Sequence, residues 1–483
     1  ANDLDTYGVA FDVSDTIVIS DSQVNIQNAT FTKLASIGIS DVRIDSTSDN
    51  LTINLTQAST SGIVFTAADS IVLSESSTNL SNANYSLLKA NIDSINASDN
   101  GTVSLDKTQV SDVKTYGIAF DSGDNVTFSD TGANISSVSF QDMVDIGVDR
   151  VDASDNVLTV SVDDTTKGIS FTSGDTITVA DSQANIEAAD FTTLLAQGVD
   201  IVDSSNNTLN IDVTEANSAM QYVSGDSVNV TGTSGIDNLS IGTYDFNSVS
   251  LGAGSDNVSM DIANLSNADT IDFGSGDTDT LTFNDSGTIA DLDFTNISNL
   301  DGVNFANGAD TVTLGTEMAQ AIEGSNDAIN GNGGDDSFTL DFSNIDSFVI
   351  DGGEGTETTG DTVNLTGNSG TSIGSDTNFG HVNAFDNIEE LDFTSLTLNV
   401  GLDSSDGGTN AEYQLTGDLI SNWTDSSNTL KLKLDSDDVG KLEFTDKNGD
   451  KYGGDDSNTN TMTSGTYTLN DGGTDVTLII DIQ

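Results

Sequence analysis

Carboxylates set among glycines are the groups in this chain best suited to chemistry. Runs such as Gly252-Ala253-Gly254-Ser255-Asp256, Gly274-Ser275-Gly276-Asp277-Thr278-Asp279 and Gly331-Asn332-Gly333-Gly334-Asp335-Asp336 place hard oxygen ligands on backbone that can turn tightly. Asp237, Asp310, Asp351 and Asp361 extend the series. Calcium takes six to eight oxygens, carboxylate and carbonyl alike, so this is ligand chemistry that Ca²⁺ prefers. The charge balance points the same way. There are 78 Asp and Glu against 12 Lys and Arg, a formal net charge of -66, and no basic residue lies between Lys167 and Lys431 apart from His381. Self-repulsion of that size opposes a compact fold unless other cations take the place of the missing basic side chains. The expectation is a fold that needs Ca²⁺, with general salt adaptation as the competing explanation of the charge.

Other chemistries find little support. The chain has no Cys and one His, which excludes disulfides and argues against zinc. Gly370-Thr371-Ser372-Ile373-Gly374 matches G-x-S-x-G, with His381 nine residues on. A nucleophile elbow needs a strand–turn–helix context and a distant partner histidine, and neither is legible, so no catalytic residue is assigned. Trp423 is a single indole and reads as core. The acidity disfavours nucleic acid and anionic lipid. No apolar run approaches the length of about 18 residues that a membrane helix requires.

The elements that would position these acids are repeats. Tyr7-Gly8-Val9-Ala10-Phe11 recurs as Ser61-Gly62-Ile63-Val64-Phe65, Tyr116-Gly117-Ile118-Ala119-Phe120 and Lys167-Gly168-Ile169-Ser170-Phe171, and fades at Ala219-Met220-Gln221-Tyr222. The repeat length is 51 to 55 residues, read from positions 8, 62, 117, 168 and 219. Four residues after each aromatic stands an aspartate: Asp15, Asp69, Asp124, Asp175 and Asp226. The first four are candidate calcium ligands, although an Asp before a strand also serves as a turn former. A second acid (Asp21, Glu75, Asp130 or Asp181) closes the following strand. One short helix per unit is then expected, ending at Gly38, Asn91, Gly147 or Gly198, because helices often close on a left-handed Gly or Asn. A unit of this size cannot bury its apolar face alone, so neighbours should stack and share a core. The chain starts part-way through a unit, and more of the array is expected before it.

From Gly232 to Leu402 helix signals fade and glycine–aspartate turns take over. These runs resemble the RTX calcium-binding nonapeptide G-G-x-G-x-D-x-U-x, best at Gly252, Gly254, Asp256, Val258 and at Gly331, Gly334, Asp336, Phe338. The resemblance implies parallel β-roll coils with Ca²⁺ bound by turn carbonyls and aspartates. Here the turns lie about twenty residues apart instead of in tandem nonapeptides, which points to longer coils and fewer ions. The closing segment, with Asp446 to Tyr452 and Val476 to Ile482, is similar to the uncleaved C-terminal end of RTX proteins exported by type I secretion; a capping hairpin is the plainer reading.

The expected architecture is therefore a mainly β repeat solenoid. Residues 1–226 form four to five repeats with short helices, 227–402 a β-helix or β-roll that binds calcium, and 403–483 a β cap. Non-RTX repeats followed by an RTX-like tail resemble surface-layer proteins and large adhesins of Gram-negative bacteria. That resemblance implies a secreted structural subunit whose partner is itself, in a lattice or filament, with cell-surface polysaccharide as a further partner. An adhesin stalk is the alternative, and an RTX-tailed hydrolase the third reading.

Overall fold

The computed structural model describes residues 11–12, 15–36, 42–88, 92–266, 268, 270–276, 278–322, 328–355, 357–368, 384–397, 413–425, 427–436, 442–445, 464–470 and 475–483. It divides into two compact units, Ala1–Thr208 with Ser218–Asp226, and Leu209–Asn217 with Ser227–Gln483.

In the first unit every described strand pairing is parallel, coil upon coil. The step between paired residues runs from 19 (Val157 to Thr176) to 25 (Ser94 to Ala119). Each repeat of 51 to 55 residues is thus two coils, and its halves differ in their helices. One half carries two short helices in tandem, as in Gly132–Ser136 with Phe140–Asp145 and Gln183–Glu187 with Phe191–Gln197. The other half carries a single helix, such as Leu55–Ala58, Lys107–Tyr116 or Val162–Thr165. The expectation of one helix per unit is corrected. The helices that it missed open on capping boxes, Asn54 with Gln57, Asp106 with Gln109 and Ser161 with Asp164, which satisfy amides that would otherwise be orphaned. Their apolar content is too slight to register as periodicity.

The second acids of the repeat organise the tandem helices. Asp21 Oδ1 accepts from the Ser22 amide at 2.7 Å and the Asn25 side chain at 2.8 Å. Glu75, Asp130 and Asp181 accept from Ser76 and Asn79, Thr131 and Asn134, and Ser182 and Asn185 in the same way. The Asn25 side chain first, then the Ser22 amide, holds Asp21 below the usual carboxylate range. Gly147 (φ 87°) and Gly198 (φ 94°) are left-handed after their helices, as expected, while Gly38 and Asn91 lie outside the described residues. Aromatic pairs join successive coils at the repeat motif: Phe31 on Phe65, Tyr85 on Phe120, Phe140 on Phe171 and Phe191 on Tyr222, with centroids 6.2 to 6.4 Å apart. The motif aromatics are the contact residues of the stack.

The second unit replaces most helices with turns and builds two long parallel sheets. Inward residues align in columns. One runs Leu239, Val258, Leu281, Val303, Ile329, Ile350 and Phe385. The other runs Ile289, Val312, Phe338, Val363, Leu391, Leu432 and Ile480. All of these side chains are buried. Strand Thr429–Leu434 continues the sheet of Glu390–Thr397, and Gly465–Asn470 closes it as an antiparallel hairpin on Asp475–Ile482. Trp423 is core, packed edge-on to Phe385 at 5.2 Å.

Glycines set how closely these coils approach. Gly254 (φ 146°) lies over the Gly235 carbonyl, and Gly276 lies over the carbonyl of Gly254, so a Cβ on either would enter backbone of the coil beneath. Gly117 (φ 66°) caps Lys107–Tyr116 in open space. Gly117→Ala is expected to cost only the left-handed penalty, about 1–2 kcal/mol. Gly254→Ala carries the steric clash as well and should lower the unfolding midpoint further in urea titrations. Equal losses would show that coil spacing is not set by these glycines.

Candidate metal centre

In the second unit a series of acids that stand before strands reaches back to the coil before. Asp256 Oδ1 accepts from the Asp237 amide at 2.8 Å, Asp279 Oδ1 from Asp256 at 2.7 Å, and Asp301 Oδ2 from Asp279 at 2.7 Å. A second ladder starts at Asp310, which accepts from Gly287 at 2.6 Å. Asp336 then accepts from Asp310 and Asp361 from Asp336, each at 2.7 Å, and Glu389 from Asp361 at 2.8 Å. Asp256, Asp279, Asp310, Asp336 and Asp361 thus each donate with the amide to one neighbour and accept with the carboxylate from the other.

The rung uses one oxygen of each carboxylate. Asp256 Oδ2, Asp310 Oδ2, Asp336 Oδ2, Asp361 Oδ2 and Glu389 Oε1 are buried with no hydrogen-bond partner. The four aspartates are at most 1 % exposed. Adjacent strands lie about 4.8 Å apart, so carboxylates stacked at that spacing, with half their oxygens unsatisfied, cannot all be ionised without a counter-charge. Burial, followed by carboxylate neighbours such as Asp285, Asp310, Asp336 and Glu357, pushes Asp310 up to about 6, Asp336 to about 7, Asp361 to about 8 and Glu389 to about 7. Asp256 and Asp279 are raised by burial as well.

Glycine keeps the space beside these oxygens clear. A Cβ at Gly331 would collide with Asp336 Oδ2, and one at Gly352 with Asp361 Oδ2. The Gly252 carbonyl accepts from the Ser275 amide, and the Gly331 carbonyl from Gly333. Gly252, Gly274 and Gly334 are left-handed and stack against backbone of the preceding coil.

The remaining candidates serve turns or rungs. Asp237 Oδ2 binds the Thr233 amide at 2.6 Å. Asp351 Oδ1 takes the Gly353 amide and the Asn387 side chain. Asp335 Oδ1 gathers the amides of Thr359, Thr358 and Gly360, which hold it far below the usual carboxylate range. Asp15 is exposed and closes its own turn on the Asp12 amide. Asp69, Asp124 and Asp175 accept from Ser46, Ala97 and Ala153 one coil back, at 3.0, 2.9 and 2.9 Å. Of these, Asp69 Oδ1 and Asp124 Oδ2 are buried without partners. Asp277, His381 and the segment 370–374 lie outside the described residues.

Among the described residues one acidic cluster could hold a metal ion: Glu357, Asp361 and Glu389, whose ligand atoms all lie within 4.8 Å of one another. Sequence reasoning found only Asp361. The signal for Glu389 was present, since every ladder acid stands two residues before a core residue (Asp336 before Phe338, Asp361 before Val363) and Glu389 stands so before Leu391. A Glu in place of Asp, without flanking glycines, hid it.

No family model matches the chain, and no curated protein matches it. Among solved structures, the leucine-rich-repeat ectodomain of the Arabidopsis receptor kinase HAESA, in complex with an N-terminally extended IDA peptide hormone, is 12 % identical, with 89 % of this chain and 76 % of that chain covered. The TM-score is 0.16, too low to carry an argument.

The ladder has a pH signature. Its folded carboxylates bind protons up to about pH 8, whereas in the unfolded chain they release them near pH 4. Without cations, stability should therefore fall as pH rises through that window. Metal-free protein is expected to be more stable toward urea at pH 5.5 than at pH 8, by on the order of 2 kcal/mol for each group raised to about 7 or above. Asp361→Asn keeps the rung acceptor and should flatten that slope; a slope unchanged in the variant would remove Asp361 from the account.

Proposed function

We propose that this is a secreted structural protein, stabilised by Ca²⁺, whose copies assemble outside a Gram-negative bacterium into a surface layer or filament. The observation that carries the calcium part is the column of buried carboxylates, each with one oxygen on the preceding coil and one without a partner. A hard divalent cation satisfies both needs at once, supplying the counter-charge and occupying the unsatisfied oxygens. Aspartates supply the charge and the glycines beside them supply room.

The assembly part rests on composition and resemblance. Parallel coils bury their apolar columns along their length, and among the described residues no helix is long and apolar enough to cross a membrane. Low Ca²⁺ inside the cell would leave the self-repelling chain loose for export, and millimolar Ca²⁺ outside would neutralise it and drive folding and association.

The test is circular dichroism with electron microscopy on metal-free protein, titrated with Ca²⁺ and separately with NaCl of matched ionic strength. Folding and regular assembly at millimolar Ca²⁺, without the same response to NaCl, is the expected result. An equal response to NaCl would reassign the acidity to general salt adaptation. Folding with Ca²⁺ but without assembly would favour an adhesin stalk.

A further inference from the structure

We propose that Glu357, Asp361 and Glu389 form a discrete site for one Ca²⁺ ion that fastens the strand Glu390–Thr397 to the coil before it. The choice of Ca²⁺ rests on the reading above; the site itself rests on geometry. The three carboxylates belong to two successive coils, with Glu357 and Asp361 leading into strand Thr362–Asn368 and Glu389 leading into its parallel neighbour. Their ligand atoms lie within 4.8 Å of one another. Oxygens on opposite sides of one Ca²⁺ are about 5 Å apart, given Ca–O distances of 2.3–2.6 Å.

Two further observations point to a ligand. Asp361 is 0 % exposed and its Oδ2 has no partner, and Glu389 Oε1 is likewise buried and unpartnered. The space beside Asp361 Oδ2 is one that a Cβ on Gly352 would fill. Glu389 also approaches so closely that a Cβ on left-handed Gly360 would strike its Cβ and Cγ, both 2.7 Å away.

The protein places its own cations elsewhere. Glu390, the next residue, is bound by Lys431 at 2.9 Å and by Lys433. Glu389 meets the charge of Glu357 and Asp425 instead, and Asp335 adds its own beside Glu357. The ligand atoms that lie within 4.8 Å of one another are those of Glu357, Asp361 and Glu389, which makes these three carboxylates the ligands, with water completing the shell. Adjacent glutamates are thus sorted, one to lysines and one to an ion.

The experiment is Ca²⁺ titration of the metal-free full chain by calorimetry, on wild type, E357Q/E389Q, E357Q alone and D256N. Glu357 holds no rung, so E357Q tests the site even if the double variant fails to fold. Wild type should bind one more tight ion than E357Q/E389Q, and E357Q should weaken that ion at least tenfold. D256N should leave it unchanged. In chelator both Glu variants should melt no lower than wild type, because they relieve like-charge repulsion; with Ca²⁺ they should melt lower. Equal ion counts and affinities in wild type and E357Q would overturn the site while leaving calcium binding intact. A wild type that folds and binds no Ca²⁺ would overturn both.

Discussion

The stack depends on a single contact repeated along the chain: a buried carboxylate accepting the backbone amide of the coil before it. In the second unit the donor is usually itself a ladder acid, so Asp310, Asp336, Asp361 and Glu389 form an unbroken series of rungs. A parallel coil must satisfy its turn amides as well as its strand amides, and a short acid two residues before each core residue does so at fixed register. The cost is electrostatic. One oxygen per rung is left facing its equivalents, and the interior is a poor place for like charges. Other unusual features of the second unit, its glycine columns and the lack of lysine before Lys431, bear on that cost.

The first unit uses the same rung with less strain. Asp69, Asp124 and Asp175 each bridge to one amide of the previous coil, as do Asp93, Asp149 and Asp200, but the donors are not themselves ladder acids. Between them, capping boxes and the acids Asp21, Glu75, Asp130 and Asp181 spend their charge on helix amides and asparagine side chains. Aromatic pairs then join the coils. The two units represent two ways to stack parallel coils, one through helices and rings, the other through glycine and carboxylate. In the second, unpartnered carboxylates follow one another on successive coils, and that series calls for a cation.

That difference gives the proposed biology its physical form. A chain that cannot neutralise its own ladder is conditional on its surroundings, and in the proposed function a divalent cation outside the cell would supply the condition. Stability and location are then linked by one set of groups, without a dedicated regulatory element. The lysines of the closing sheet fit this view, since Lys431 and Lys433 neutralise Glu390 and neighbouring acids at the edge of the ladder.

Much of this was legible in the residues themselves. The repeat length, the aromatic and aspartate positions and the mainly β character follow from spacing and composition, because side-chain period and charge are local properties, while the parallel winding was implied by the RTX resemblance. Short helices were undercounted, since four or five residues held by a capping box leave no apolar period to read. The two-coil repeat and the coil-to-coil rungs required the tertiary structure: partners such as Asp336 and Asp310 are 26 residues apart, and only stacking brings them together. The same holds for the acidic site. Register before Leu391 separates Glu389 from Glu390 locally, but only the fold shows what each meets, turning Glu390 toward lysines and Glu389 toward Glu357 and Asp361.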